Sequence, residues 1–194
     1  MQPRLARMYE EHGSLAAVLN ALSALVVEVR ERGKRIDPKV FRAIVYYLDV
    51  FPEREHHRKE EEALFPRIRA RTHEIDGVLD QLAREHAAGE QAIRDLERAF
   101  FHYEARGDAE FPAFAEAAER YVARYFEHMR KEENEVMPVA RRVLTAQDIA
   151  EIEAAFAAHH DPLAGTGRAT DPEELFSRIV TIAPAPYGLG APLE

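Results

Sequence analysis

One charged motif is written twice in this chain. His56-His57-Arg58-Lys59-Glu60-Glu61 is followed by Leu64-Phe65-Pro66, and His128-Met129-Arg130-Lys131-Glu132-Glu133 by Val136-Met137-Pro138. In each copy a His precedes a Glu by four residues, and a Pro follows that Glu by six. Helix positions i and i+4 lie on one face, so each copy sets an imidazole beside a carboxylate. A carboxylate has two oxygens and can bridge two cations while imidazoles fill the outer positions. Two such copies facing each other would make a dinuclear site of nitrogen and oxygen ligands.

The repetition extends beyond the motif. Glu11-His12 and Glu85-His86 are 74 residues apart, as are Arg32-Gly33 and Arg106-Gly107, while His56 and His128 are 72 apart. This is the pattern of a duplicated αα-hairpin. The candidate metal ligands are therefore His12, His56 with Glu60, His86, and His128 with Glu132. Successive helix positions turn by about 100°, so with His56 at zero Glu60 falls near 40° and His57 near 100°. His57 can thus lean toward a second metal position, whereas Met129 stands at the matching place in the other copy. The register His57 with Glu61 has the same spacing; His56 with Glu60 is preferred because both have counterparts at the same distance from Pro. A single His-x-x-x-Glu pair is common on solvated helix faces. Two copies with matched histidines on the other helices favour a metal site.

Other candidates carry less. His159-His160 reads as a solvated pair after a helix, and His73 and His102 as surface residues. Tyr9 and Tyr125 each stand three residues before a candidate ligand, where they would either donate a hydrogen bond near the metals or pack in the core. Gly165-Thr166-Gly167 is too short for a phosphate loop.

Composition narrows the chemistry. The 194 residues suffice for one full core, and a net charge of −9 opposes nucleic acid or an anionic membrane as partner. With no cysteine, thiolate ligands, disulfides and cysteine nucleophiles are excluded. Nitrogen and oxygen ligands suit iron, manganese or zinc. The first eleven residues are charged and lack an apolar signal core. The apolar stretch from Leu15 to Val29, interrupted by Asn20, Ser23 and Glu28, reads as too short to span a bilayer. The expected location is the cytoplasm.

The elements that must position these residues are helices. Leu15, Leu19, Leu22, Val26 and Val29 recur at helical spacing between Pro3 and Gly33. Asp37-Pro38 starts a second helix, which Pro52 should kink or interrupt before it resumes through Glu53 to about Arg71. A third should run from Ile75 to Arg106 and a fourth from Phe111 to Val143. Thr145 should cap a shorter fifth helix through Phe156. A linker over 161–170 then leads to a last helix from Asp171-Pro172 to Ile182 and an irregular tail. The expected fold is all-α: an up-down-up-down four-helix bundle over 1–144, with a C-terminal helical extension over 145–194 packed on or linked to it.

Together these residues resemble the hemerythrin-like family with its HHE cation-binding domain. The resemblance rests on Glu11-His12, the His56-to-Pro66 run, Glu85-His86 and His128-x-x-x-Glu132, and covers about residues 5–142. It implies a non-haem di-iron centre with bridging carboxylates that binds or senses oxygen, nitric oxide or iron. It also allows an enzyme at the same centre, acting on ferrous iron, peroxide or nitric oxide or supplying iron for cluster repair. Oxygen carriers in the family keep a second His one turn after the third-helix His. Here that position is Glu90, which argues against reversible oxygen carriage.

Overall fold

The computed structural model of the chain describes residues 5–158 and 172–193. The His159-His160 pair, the expected linker and the Asp171 cap lie outside the described residues. The fold is all-α: among the described residues no strand forms, and one isolated bridge joins Pro184 to Gly190. Four long rods carry most of the chain: α1 (Ala6–Arg32), α2 (38–69), α3 (Asp76–Arg106) and α4 (111–143). Two short helices follow, α5 (Ala146–Ala157) and α6 (Pro172–Ile182).

Local signals set the boundaries. Gly33 ends α1 in the left-handed conformation (φ 62°), and its N–H bonds the Val29 carbonyl at 3.1 Å. Asp37 caps α2 by accepting from the Lys39 N–H at 2.9 Å, with Pro38 in the first turn. At Pro52 the second rod does not break. It widens into π-helical turns over Asp49–His56 and stays in right-handed helical conformation at both ends of that segment. The wider turn accommodates a residue that has no N–H to donate. Both motif copies do the same: π-helical turns run over Glu60–Leu64 and Glu132–Val136, each just before its Pro. Thr145 and Asp148 form a reciprocal capping box at α5, and Arg71 ties Asp148 to the end of α2 at 2.9 Å.

α1 packs on α2 and α4, α3 packs on α2 and α4, and the C-terminal ends of α2 and α4 also meet. Their apolar faces form two separate clusters. The larger holds Leu15, Leu19, Leu22, Phe41, Ile93 and Phe114, and the smaller Met8, Leu64, Phe65, Leu82, Val136 and Met137. The boundary between them falls at one level in every rod, and the candidate ligands occupy it. His12 lies between Met8 and Leu15, Glu60 between Phe51 and Leu64, His86 between Leu82 and Ile93, and Glu132 between Met129 and Val136. By length and composition α1 could cross a membrane, with a window of mean hydropathy 1.5. The residues that raise that value, Leu15, Leu19, Leu22 and Leu25, are fully buried against the other rods.

The later helices complete the surface. α5 packs on α1 and on the Glu60–Leu64 turn, placing the Phe156 ring edge-on to His56 at 6.0 Å. α6 lies on α2 and α1. The tail turns back on α6, with the Leu189 N–H bonding the Val180 carbonyl at 2.7 Å and the Tyr187 hydroxyl donating to Glu28 at 2.6 Å.

The larger cluster is centred on an aromatic group in which the Phe114 ring lies 5.1 Å from Phe41 and 5.5 Å from Phe100. Phe114→Ala should therefore lower unfolding free energy by about 3–5 kcal/mol. Urea denaturation of the metal-free protein measures this, and cation content should be unchanged because the cluster is apart from the polar layer.

Candidate metal centre

The polar layer gathers residues from all four rods. His56, Glu60 and Glu132 are fully buried, and His12, His57, His86 and His128 nearly so. Their ligand atoms fall into three overlapping groups able to hold a cation: His12, His56, Glu60 and Glu132; Glu60, His86, His128 and Glu132; and His57, His86 and His128. The two carboxylates belong to both of the first two groups. Glu60 turns Oε1 toward His56 Nε2 and Oε2 toward His86 Nε2, both at 3.4 Å. Glu132 turns Oε2 toward His12 Nε2 at 3.4 Å and Oε1 toward His128 Nε2 at 3.1 Å. Each Glu therefore spans the two sets of imidazoles, one oxygen to each.

These groups fit a cation because little else satisfies them. His12 Nε2, His56 Nε2 and all four oxygens of Glu60 and Glu132 are buried without a hydrogen-bond partner. Burying unpaired carboxylates costs several kcal/mol each, and cations at the two positions would offset that cost.

The opposite side of each ring is held by a further carboxylate. His56 Nδ1 pairs with Glu11 at 2.7 Å, His128 Nδ1 with Glu85 at 3.1 Å, His86 Nδ1 with Glu61 at 2.7 Å and His12 Nδ1 with Glu133 at 3.0 Å. With Nδ1–H donating outward, Nε2 is the nitrogen left facing the centre. Lys59 then bonds Glu11 at 2.9 Å, and Lys131 bonds Glu85. The Lys-Glu-Glu run is thus used in full in both copies: Lys steadies an outer carboxylate, the first Glu enters the centre, and the second Glu orients a histidine across the core.

Sequence reasoning assigned no role to Glu11, Glu85, Glu133 or the two lysines. The signal was present, since each of these residues recurs in both halves while the ligands alone need fewer charges. Glu61, considered as a ligand in the alternative register, faces His86 from outside. Glu90 is exposed beside Arg94 and does not join the groups.

His57 occupies a different setting from the other histidines. It stacks on His86 with ring centres 4.0 Å apart, and it groups with His86 and His128 but not with the carboxylates. Its Nε2 pairs with the Tyr125 hydroxyl at 3.0 Å, and its Nδ1 lies 3.4 Å from Glu53. Tyr125 thus has a polar partner at the centre, whereas the Tyr9 hydroxyl accepts from Arg141 at 2.5 Å. His73 is exposed and bonds Asp76, and His102 is half-buried beside Phe101.

The electrostatics follow these contacts. Burial pulls His56 down, but Glu60 and Glu11 outweigh it and push the ring up to about 10. His128 is likewise pushed up to about 9, with Glu132, Glu60 and Glu85 overcoming burial. Burial alone would raise Glu132, yet His128 and the other imidazoles hold it well below the usual carboxylate range. His57 is held well below its ordinary value by burial and by the neighbouring imidazoles.

The fold and site define a helical cation-binding protein. The chain belongs to the family described as the hemerythrin HHE cation binding domain, whose model matches residues 4–140. No curated protein matches the chain.

Two outcomes follow from this geometry. Glu11→Gln, which keeps shape but removes the charge orienting His56, should weaken cation affinity about 10–100-fold, measured by competition with a chromophoric chelator. In the metal-free protein, His56 and His128 titrate above the ordinary 6.5. Their stabilisation is complete below pH 6.5 and is lost as pH rises through about 9 and about 10. Melting temperature should fall over that window, and added cation should flatten the fall because it replaces those protons.

Proposed function

We propose that the rods form an up-down-up-down four-helix bundle over 1–144, extended by 145–194, that holds a non-haem di-iron centre and takes up or senses a diatomic ligand in the cytoplasm. The observation that carries this reading is the pair of buried carboxylates, Glu60 and Glu132, each offering one oxygen to either set of imidazoles. Such a pair suits two cations side by side. Ligands of imidazole and carboxylate, with no sulfur, suit iron among the redox metals, and the family bears the name of hemerythrin.

In this reading His12 and His56 would help hold one cation and His86 and His128 the other, with Glu60 and Glu132 available to both and His57 grouped with His86 and His128. Iron held there would supply reversible electron transfer and affinity for oxygen or nitric oxide. The chain supplies the setting. Glu11, Glu61, Glu85 and Glu133 keep the imidazoles of His56, His86, His128 and His12 oriented, and the apolar clusters close the layer above and below. Phe156 covers His56 from α5.

The experiment is metal analysis followed by ligand exposure. Anaerobically loaded protein should contain two irons per chain and develop visible charge-transfer absorption on meeting oxygen or nitric oxide. His56→Ala and Glu132→Ala should each lower iron content, and unchanged iron in both would refute the site. A single stoichiometric change favours uptake or sensing. Many equivalents of oxygen, peroxide or nitric oxide consumed per chain would instead make the protein an enzyme.

A further inference from the structure

The two halves differ most beside His57, and the difference opens to the surface. A cleft of about 720 Å³ between α2 and α3 reaches His57, His86 and Glu53. Six acidic residues line it, Asp49, Glu53, Glu61, Glu62, Glu90 and Glu97, against three arginines. Those arginines are already engaged: Arg54 with Asp49, Arg58 with Glu55 and Glu62, and Arg94 with Glu90. The walls therefore carry an excess of negative charge.

Glu53 gives this cleft a destination. Its side chain is only 3% exposed, one oxygen accepts from the Tyr121 hydroxyl at 2.8 Å, and Oε2 has no hydrogen-bond partner. That free oxygen lies 3.4 Å from His57 Nδ1. Room for it exists because residue 89 is glycine; a Cβ there would overlap the carboxylate. An unpartnered buried carboxylate is costly, and at the end of an acidic funnel its natural counterpart is a cation.

The pseudo-symmetric face also reaches a ligand, His12, but it has neither the acidic walls nor a buried carboxylate oxygen without a partner. Tyr125, Met129 and Leu15 stand where Glu53, His57 and Gly89 stand. The cleft there, of about 480 Å³, is lined by Gly13, Ala16, Phe126 and Met129, with Arg130 and Glu133 of opposite charge.

We propose that the α2–α3 cleft is the path by which divalent cations reach the centre, with Glu53 as a transient carboxylate ligand that passes them toward His57 and His86. This rests on the reading of the centre as a cation site and adds the route to it. It gives Glu53 a role in the rate of loading and none in the final occupancy.

The test is uptake of cobalt(II) by the metal-free full chain at low ionic strength, followed by stopped-flow absorbance, with bound metal determined at the end. Glu53→Gln should slow loading by roughly three- to tenfold. Ala87→Arg, at an exposed position in the cleft wall, should do the same without disturbing the core. Gly13→Arg, at the corresponding place in the opposite cleft, should leave the rate as in the unaltered chain. All should reach the same final content. Equal rates in Ala87→Arg and the unaltered chain, or equal slowing by Gly13→Arg, would overturn the path. A lower final content in Glu53→Gln would overturn its transient role by making it a resident ligand. Failure of the unaltered chain to bind cobalt would reject the cation centre itself, which separates the two ideas.

Discussion

Glu60 and Glu132 are two carboxylates with no exposed surface and no hydrogen-bond partner on any of their four oxygens. Most of the architecture around them answers that condition. Four rods bring imidazoles to them, because positive charge is what a buried carboxylate requires once water is excluded. The imidazoles in turn need their other nitrogen satisfied, which brings Glu11, Glu61, Glu85 and Glu133 inward. These carboxylates then draw Lys59 into the interior, where it also bonds the Phe156 carbonyl, and Lys131 toward Glu85. Charge alternates outward from the centre until it meets solvent. A core divided by such a layer gives up apolar contact between its two clusters, and a cation at the middle recovers stability through binding.

The duplication explains why the network closes. Glu11 on α1 reaches His56 on α2, and its counterpart Glu85 on α3 reaches His128 on α4. Glu61 on α2 reaches His86 on α3, and its counterpart Glu133 on α4 reaches His12 on α1. Each hairpin is thus linked internally by one kind of pair and to the other hairpin by the second kind. Neither hairpin alone could satisfy its own histidines, so the centre and the association of the halves arise together.

The sequence disclosed this much because helical spacing is rigid. His and Glu four apart must share a face, and the rods between Gly33, Gly107 and the prolines have lengths that place His12, His56, His86 and His128 at one level. The all-α class and the ends of α1, α3 and α5 were legible for the same reason: Gly33, Gly107 and Thr145 have local physical roles. Less legible was the behaviour at proline. Pro52 suggested a kinked or interrupted helix, and the rod is not interrupted there: it continues through the proline in widened, π-helical turns. The outer carboxylates were also harder to assign. Which Glu meets which His across the core depends on how rods rotate against one another, and spacing within one helix does not contain that information. The tail posed a similar difficulty, since Tyr187 meets Glu28, 159 residues away in sequence.

The prolines of the doubled motif have a bearing on the centre beyond ending a pattern. Pro66 and Pro138 lie six residues after Glu60 and Glu132, and the turn between is π-helical in both copies. A π-helical turn adds a residue without adding a turn, so side chains beyond it are rotated relative to those before it. His56 precedes the widened turn and Glu60 opens it, while Leu64 at its far end and Phe65 just beyond pack in the smaller apolar cluster. The same division holds for His128 and Glu132 against Val136 and Met137. A regular helix would carry the apolar stripe of the first cluster past the polar layer at a fixed angle. The widened turn resets that angle, so one rod can present ligands at one level and a well-directed apolar face at the next. The Pro is what makes the irregular turn the stable choice, because it removes the donor that a regular turn would need.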